Sequence, residues 1–223
     1  MKKLLLLLLF TCSSVLAGEL CPKTDFDEVY LPVINDKTTF CYEQYVLVYD
    51  QRAKTPLFSA ERLAPGEKFM KSRKNSYTAD KKIPKGSRVE LSDYKKSGYD
   101  RGHLAPEGDM TSEVSERESF LLSNMVPQRK QLNRGIWRSL ELKLRKLSET
   151  EELIVITGPV YDKPISYIGD KVPVPDATYK WVYNLADGVE FGYVIPNVTK
   201  FNKLDTYQTT KAELEKKTGL DLK

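Results

Sequence analysis

The sequence of this chain predicts an α+β fold in which a central, mostly antiparallel sheet is flanked by helices. Short segments rich in Tyr, Val and Ile are separated by turn residues, which is typical of strands joined by hairpins. One longer segment, from about 130 to 147, instead repeats its apolar residues at helical spacing. The 223 residues are 40% hydrophobic and 30% charged, which is typical of a globular chain and excludes a disordered or fibrous one.

The strands are predicted from short runs of β-branched, aromatic and aliphatic residues. The candidate strands are 42–50, 58–62, 87–91, 152–157, 179–185 and 189–195. The last two form a hairpin around Asp187-Gly188. The connections 63–86 and 162–178 contain prolines and are predicted to be irregular.

The clearest helix covers about 130–147 and has two stripes along its length. The apolar stripe consists of Leu132, Ile136, Leu140, Leu144 and Leu147. The second, more polar stripe consists of Asn133, Trp137 and Glu141. Eight helical residues rise about 12 Å and turn about 80° beyond two full turns. Asn133 and Glu141 can therefore border one cleft without meeting at one atom. A last helix is predicted at about 208–218, with Gly219 as its C-terminal stop.

The first residues of the chain resemble a secretory signal peptide. Two lysines precede a leucine run, and Val15-Leu16-Ala17 is typical of a cleavage site. The apolar run is too short for a typical membrane span, although a retained anchor is the alternative. We therefore expect a signal peptide at 1–17, an N-terminal segment at 18–40 and a single domain at 41–223. The mature protein would be secreted or periplasmic and would have no contact with the membrane.

The cysteines support a location in the periplasm or outside the cell. Cleavage removes Cys12 and leaves Cys21 and Cys41, an even pair in an exported chain. We predict a disulfide between them, with two buried free thiols as the alternative. Closing this loop would stabilise the fold by about 3 kcal/mol in the chain-entropy model.

The positive charges are clustered, although the net charge is only +4. Residues 68–101 contain eleven Lys and Arg against four acidic residues, and residues 128–146 contain seven against one. Such clusters can present a local positive field to a polyanion. Solvated surface is the alternative explanation.

The chemistry of the chain centres on a single histidine. One histidine and three cysteines exclude a zinc site built on several histidines or on four cysteines. His103 lies in the segment SGYDRGHLAP at 97–106. Arg101 and His103 alternate about Gly102, so an extended backbone would point both side chains to one side. A guanidinium beside an imidazole suits a phosphate and a water, because one binds the anion and the other takes a proton.

These motifs resemble those of a known family. DRGH followed by L-A-P, then SFLLSNMVPQ at 119–128 and Asn133, Trp137 and Glu141 at intervals of four, resemble the DNA/RNA non-specific endonucleases. That family includes secreted bacterial nucleases and mitochondrial endonuclease G. The resemblance implies a fold with a ββα-metal active site. It also implies a metal-dependent hydrolase that cuts phosphodiester bonds and leaves 5′-phosphate products.

The resemblance also implies roles for individual residues. His103 would be the general base that activates water. Asn133 would be the direct ligand of one Mg²⁺, for which Mn²⁺ is the expected substitute. Glu141 would orient water at the ion. One hard cation with few protein ligands suits this chemistry, because Mg²⁺ keeps most of its waters.

Further roles follow from the same resemblance. Arg101 would contact phosphate, and Asn124 would hold the site through hydrogen bonds. An arginine upstream would assist the phosphate and the leaving group; Arg73 is the candidate and Arg62 its competitor. The partners would be DNA and RNA, bound through their phosphate backbones with little sequence selectivity. A homodimer is a further expectation, since dimers occur in the family.

Three alternatives remain at this point. A catalytically silent nucleic-acid-binding or scavenging protein would use the same basic clusters but would not need His103, Asn133 and Glu141 together. A serine hydrolase is disfavoured because the chain has no G-x-S-x-G motif. A secreted interaction protein would leave the polar stripe as ordinary surface.

Overall fold

The computed structural model describes residues 21, 30–32, 37–70, 76–162 and 164–222. The predicted signal peptide at 1–17 and the candidate Arg73 lie outside the described residues. The Cys21–Cys41 disulfide is present, as predicted, and it joins residue 21 to the first strand. In the described part of the chain, no helix is long and apolar enough to cross a membrane.

Eleven strands form among the described residues. They are β1 (Thr38–Cys41), β2 (Tyr45–Asp50), β3 (Thr55–Leu63), β4 (Asp100–His103), β5 (Met125–Gln128), β6 (Leu153–Val160), β7 (Ser166–Ile168), β8 (Val172–Val174), β9 (Ala177–Asn184), β10 (Glu190–Pro196) and β11 (Gln208–Thr209). Seven of them make one sheet in the order β1-β2-β3-β6-β9-β10-β11, and every neighbouring pair is antiparallel. The predicted α+β fold with an antiparallel central sheet is confirmed.

Within the described ranges, three α-helices form: α1 (Glu113–Ser119), α2 (Arg138–Leu147) and α3 (Lys211–Thr218). The hydroxyl of Thr210 accepts from the backbone N–H of Glu213 at 3.3 Å, and the Glu213 carboxylate accepts from the backbone N–H of Thr210 at 3.2 Å. This reciprocal cap starts α3 three residues later than the sequence predicts. Gly219 ends α3 with φ of 70°, a left-handed conformation that glycine adopts without a Cβ clash.

The helix predicted at 130–147 is divided into two parts. A π-helical turn occupies Leu132–Trp137, and α2 follows it. Gly135 departs from helical geometry, with φ of −110° and ψ of −108°. The sequence placed Trp137 on the polar stripe, but its side chain is fully buried. This kink at Gly135 changes the direction in which the following side chains point, and it explains why the straight-helix geometry is wrong at Trp137.

The central sheet is covered on both faces because its strands are apolar on both sides. In β6, Ile154 and Ile156 pack with Leu214 of α3, whereas Val155 packs on the opposite face with Leu140 of α2. Successive residues of a strand point to opposite faces, so the unbroken apolar run supplies two cores at once.

Two predictions about the connections are wrong. No strand forms at 87–91; a 3₁₀ turn follows at Leu91–Tyr94. The backbone N–H of Glu90 donates to the Asp93 carboxylate at 2.8 Å, which favours the turn. The connection at 162–178 is not wholly irregular, because it contains the β7–β8 ribbon. Pro173 is tolerated there, since each strand of a two-stranded ribbon has a free edge.

The ribbon of β4 and β5 is a separate two-stranded sheet that the strand predictions did not include. Gly102 in β4 lies against the side chain of Gln128, which a Cβ at position 102 would overlap. The glycine between Arg101 and His103 therefore permits the close approach of the ribbon's own strands.

Candidate active site

One open cavity of about 780 Å³ lies between the β4–β5 ribbon and the helical segment 130–147. Arg101, His103, Asn133 and Glu141 all line it, so four of the site residues suggested by the sequence lie together. The other lining residues are Tyr77, Tyr99, Asp100, Pro106, Glu107, Gly108, Phe120, Arg134, Arg138, Leu142 and Arg145.

His103 is the last residue of β4, and its imidazole is held between aromatic rings. The ring centre lies 5.2 Å from that of Phe120, edge to face, and 5.8 Å from that of Tyr77. Phe120 and Tyr77 also contact each other edge to face at 5.1 Å. Such packing limits the orientations of the imidazole, which a proton-transfer group requires.

Arg101 lies two residues before His103 on the same strand and lines the same cavity. Its guanidinium carbon lies 4.9 Å from the ring centre of Tyr77 and 5.4 Å from that of Tyr94. The Nε of Arg101 is buried and has no hydrogen-bond partner among the described residues. The two rings orient the guanidinium at the wall of the cavity, which suits an anionic ligand.

Asn124 is fully buried and does not line the cavity. Its Oδ1 accepts from the backbone N–H of Ala105 at 3.0 Å, and its Nδ2 donates to the carbonyls of Ala105 at 2.8 Å and Ser119 at 3.0 Å. Asn124 therefore attaches the chain that follows His103 to the segment that leads into β5.

Asn133 lies in the π-helical turn, and its amide orientation is set by Asp100. The Nδ2 of Asn133 donates to Asp100 Oδ2 at 3.1 Å. Arg134 donates to both oxygens of the same carboxylate, at 2.7 and 2.9 Å. Because an ionised carboxylate only accepts, it takes the NH₂ side of the amide and leaves Oδ1 of Asn133 to another ligand.

The Asp100 carboxylate is ionised at neutral pH. Burial raises its pKa, but the hydrogen bonds from Arg134 and Asn133 outweigh burial and hold the pKa below the ordinary value of an aspartate. The hydrogen bonds from Asn133 and Arg134 to the Asp100 carboxylate are therefore intact at neutral pH. They are lost only in acid, as the pH falls through this lowered pKa.

Replacing Asp100 with asparagine is expected to lower turnover about tenfold or more while keeping the fold. The amide in its place can donate as well as accept, so it no longer dictates which atom of Asn133 faces the cavity. The steady-state rate of phosphodiester hydrolysis, the activity that the family resemblance implies, measures the effect. Glu149→Gln, which removes an exposed carboxylate paired with Lys146 at 2.5 Å, is the control. A turnover equal to that of the wild type would show that Asp100 does not orient Asn133.

A second charged pair involves Arg145, which lines the same cavity as Glu141. Arg145 Nε donates to Asp109 Oδ1 at 2.6 Å, and the Asp109 side chain is only 4% exposed. Burial raises the pKa of Asp109, and Arg145 opposes that rise. Glu141 and Arg145 are one helical turn apart in α2, so both face the cavity.

The sequence interpretation missed several cavity residues. Asp100, Arg134, Arg138 and Arg145 received no role, although Arg138 and Arg145 flank Glu141 at helical spacing, which could have indicated them. Arg62, the competitor for the upstream arginine, does not line the cavity. Its Nε donates to Glu152 at 2.7 Å.

The donor set fits a hard divalent cation better than zinc. The described residues contain no group of three or more His, Cys, Asp or Glu side chains that could hold a metal ion. Asn133 Oδ1 is a neutral oxygen in a cavity that also contains the Glu141 carboxylate. Mg²⁺ is typically bound by few protein oxygens and completes its shell with water and substrate phosphate.

A β ribbon that carries a histidine, facing a helical segment that carries an amide and a carboxylate, defines a ββα-type active site. The chain belongs to the DNA/RNA non-specific endonuclease family, whose sequence model matches residues 23–223.

Known relatives and structures agree with this family. The chain is 36% identical over 203 residues to the mitochondrial nuclease EXOG of Danio rerio, covering 80% of this chain and 59% of that protein. It is 35% identical over 195 residues to a nuclease of Nostoc sp., covering 80% and 70%. The chain therefore spans only part of the length of these relatives. A chain in the crystal structure of the EndoG/EndoGI complex superposes with a TM-score of 0.78 at 29% identity, covering 87% of this chain and 88% of that one.

Proposed function

We propose that this protein is a Mg²⁺-dependent endonuclease that hydrolyses DNA and RNA with little sequence preference and leaves 5′-phosphate products. One observation carries the proposal: Arg101, His103 and the amide of Asn133 line a single cavity, and Asp100 takes the nitrogen side of that amide. An anion-binding group, a proton acceptor and a cation ligand are the three functions that phosphodiester hydrolysis needs.

His103 accepts the proton of the attacking water in this mechanism. The walls formed by Phe120 and Tyr77 hold the imidazole in place while it does so. Arg101 binds the scissile phosphate through its guanidinium, because the residue lines the cavity. Glu141 orients water within the cavity, and Asn124 keeps the chain after His103 in position through Ala105. Arg73 stays the candidate for the upstream arginine, because Arg62 does not line the cavity.

Asn133 would hold the metal through Oδ1. When bound, Mg²⁺ or its substitute Mn²⁺ supplies positive charge against the charge that develops on the phosphate and the leaving oxygen.

The substrate class follows from the kind of contact that the cavity offers. Its cationic residues Arg101, Arg134, Arg138 and Arg145 suit phosphates, which carry no sequence information. DNA and RNA share this backbone charge. Contacts to phosphate do not distinguish the two polymers, so both DNA and RNA are proposed as substrates.

We also propose export to the periplasm or the medium. The sequence at 1–17 has the features of a signal peptide, and the Cys21–Cys41 disulfide is typical of an oxidising compartment. Some relatives are mitochondrial nucleases, as their names state.

Removing divalent metal is expected to abolish hydrolysis and leave the fold intact. Plasmid DNA and a single-stranded RNA are incubated with the protein in excess EDTA, and then with Mg²⁺ or Mn²⁺ restored. Cleavage should fall below detection with chelator and return with either ion, because the proposed mechanism depends on the positive charge that the ion supplies. Binding without cleavage under every metal condition would favour the alternative of a catalytically silent nucleic-acid-binding protein.

A further inference from the structure

A buried lysine lies directly beneath the cavity. Lys180 in β9 is 1% exposed. Its Nζ donates to Thr157 Oγ1 at 2.8 Å and to the carbonyl of Leu104 at 3.4 Å. The same ammonium lies 3.8 Å from Glu61 Oε1 and 5.4 Å from the ring centre of Trp137.

These contacts come from both halves of the site. Leu104 follows His103 directly, so its carbonyl belongs to the chain that carries the proposed base. Trp137 ends the π-helical turn that contains Asn133, the proposed metal ligand. Thr157 and Glu61 lie in the neighbouring strands β6 and β3 of the central sheet. The ammonium therefore links the His103 strand, the Asn133 turn and the rigid sheet at one point.

Stability alone does not account for this arrangement. Neither oxygen of Glu61 has a hydrogen-bond partner among the described residues, and burial raises the pKa of Glu61 well above the ordinary value. A buried pair with incomplete hydrogen bonding is often no more stable than apolar side chains of the same size. Met or Leu at these two positions would fill the same space without the cost of burying two polar side chains.

We propose that Lys180 is a positioning residue, whose ammonium sets the separation between the strand that carries His103 and the turn that carries Asn133. Glu61, whose Oε1 lies 3.8 Å from the ammonium, is its acidic partner. This inference rests on the proposed nuclease function and assigns no contact between Lys180 and substrate.

The single histidine of this chain gives the test a readout besides activity. In protein made without a histidine tag, the imidazole of His103 yields the only histidine ring signals in a ¹H–¹³C spectrum. Added Mn²⁺ is paramagnetic and broadens nearby signals steeply with decreasing distance. Broadening of the His103 signals therefore reports how close the bound ion lies to the ring.

Three variants are compared with the wild type: Lys180→Met, the double variant Glu61→Met/Lys180→Met, and the control Lys54→Met. Lys54 has a side chain that is 12% exposed and an ion pair with Asp170 at 2.5 Å, but it does not line the cavity. Turnover at saturating substrate, KM, thermal unfolding and the Mn²⁺-dependent broadening are measured for each.

We expect Lys180→Met to lower turnover at least tenfold, to keep KM within threefold and to weaken the Mn²⁺ broadening of His103. The double variant should regain thermal stability, because no buried polar side chain is left without its partner, but its turnover and broadening should stay low. The control Lys54→Met should match the wild type in turnover and in Mn²⁺ broadening. Recovery of wild-type turnover and broadening in the double variant would overturn the inference, since Lys180 would then serve only to balance Glu61.

A milder variant keeps the inference testable if Lys180→Met does not fold. Thr157→Val removes the nearest hydrogen bond to the ammonium and preserves both charges and side-chain size. We expect a three- to tenfold loss of turnover with weaker broadening, and wild-type values would overturn the inference. Failure of the proposed function looks different: the wild type itself would show neither metal-dependent cleavage nor Mn²⁺ broadening.

Discussion

Replacing His103 with alanine is expected to reduce the cleavage of both DNA and RNA by about 10²- to 10⁴-fold, the usual contribution of a general base. The chain has no second histidine that could take over the role. Arg101, Asn133 and Glu141 remain in place, so the affinity for nucleic acid should change little. Cleavage of a plasmid and electrophoretic binding of an oligonucleotide, measured side by side under the same metal conditions, test the expectation.

Chemical rescue sharpens this test. The alanine leaves a space between Tyr77 and Phe120, whose rings pack against the imidazole in the wild type. Free imidazole in the buffer should enter that space and restore part of the lost turnover of His103→Ala. The variant Tyr207→Phe, at a ring that does not line the cavity, is the control and should not respond to imidazole. If His103→Ala kept wild-type turnover, the assignment of the base would be wrong.

The parts of the site that are local in sequence could be predicted. Arg101 and His103 share a side of the ribbon because alternate residues of a strand point the same way, whatever the rest of the fold does. Asn133 and Glu141 reach one cavity because both lie on the same helical segment. The central sheet was predictable for a similar reason, since β6, β9 and β10 each have a distinct apolar pattern.

The parts that depend on long-range contacts could not be predicted. Asp100 is 34 residues from Arg134, and Arg145 is 36 residues from Asp109. Only the docking of the ribbon against the helical segment brings these charges together, and a single sequence does not specify that docking. Lys180 is an extreme case, because its position in an apolar strand gives no indication that its ammonium reaches Leu104, 76 residues away.

Trp137 shows a different kind of failure. The interval of four residues between Asn133, Trp137 and Glu141 was interpreted with straight-helix geometry, which placed all three on one polar stripe. The π-helical turn breaks that regularity, and Trp137 is buried while Asn133 and Glu141 line the cavity. Such turns occur often at functional sites, and here the irregular turn carries the proposed metal ligand.

Replacing Asn133 with alanine is expected to have an effect as large as that of His103→Ala, but for a different reason. The variant loses the only side-chain oxygen that the proposal gives to the ion, so turnover should fall about 100-fold or more at physiological Mg²⁺. Raising Mg²⁺ or Mn²⁺ to high concentration should recover part of the activity, because the phosphate still contributes ligands. No such recovery is expected for His103→Ala, and the metal dependence of turnover distinguishes the two variants.

The variant Asn133→Asp tests whether the orientation of the amide matters as well as its oxygen. An aspartate keeps an oxygen ligand of similar size, but it cannot donate to Asp100 and places a second carboxylate within reach of the first. Repulsion between the two carboxylates should turn the introduced side chain towards Arg134 and away from the position that the Asn133 amide occupies in the wild type. We therefore expect Asn133→Asp to cleave at least tenfold more slowly than the wild type, although it retains an oxygen ligand. Wild-type turnover in Asn133→Asp would mean that any oxygen at this position suffices and that Asp100 serves only to pair with Arg134.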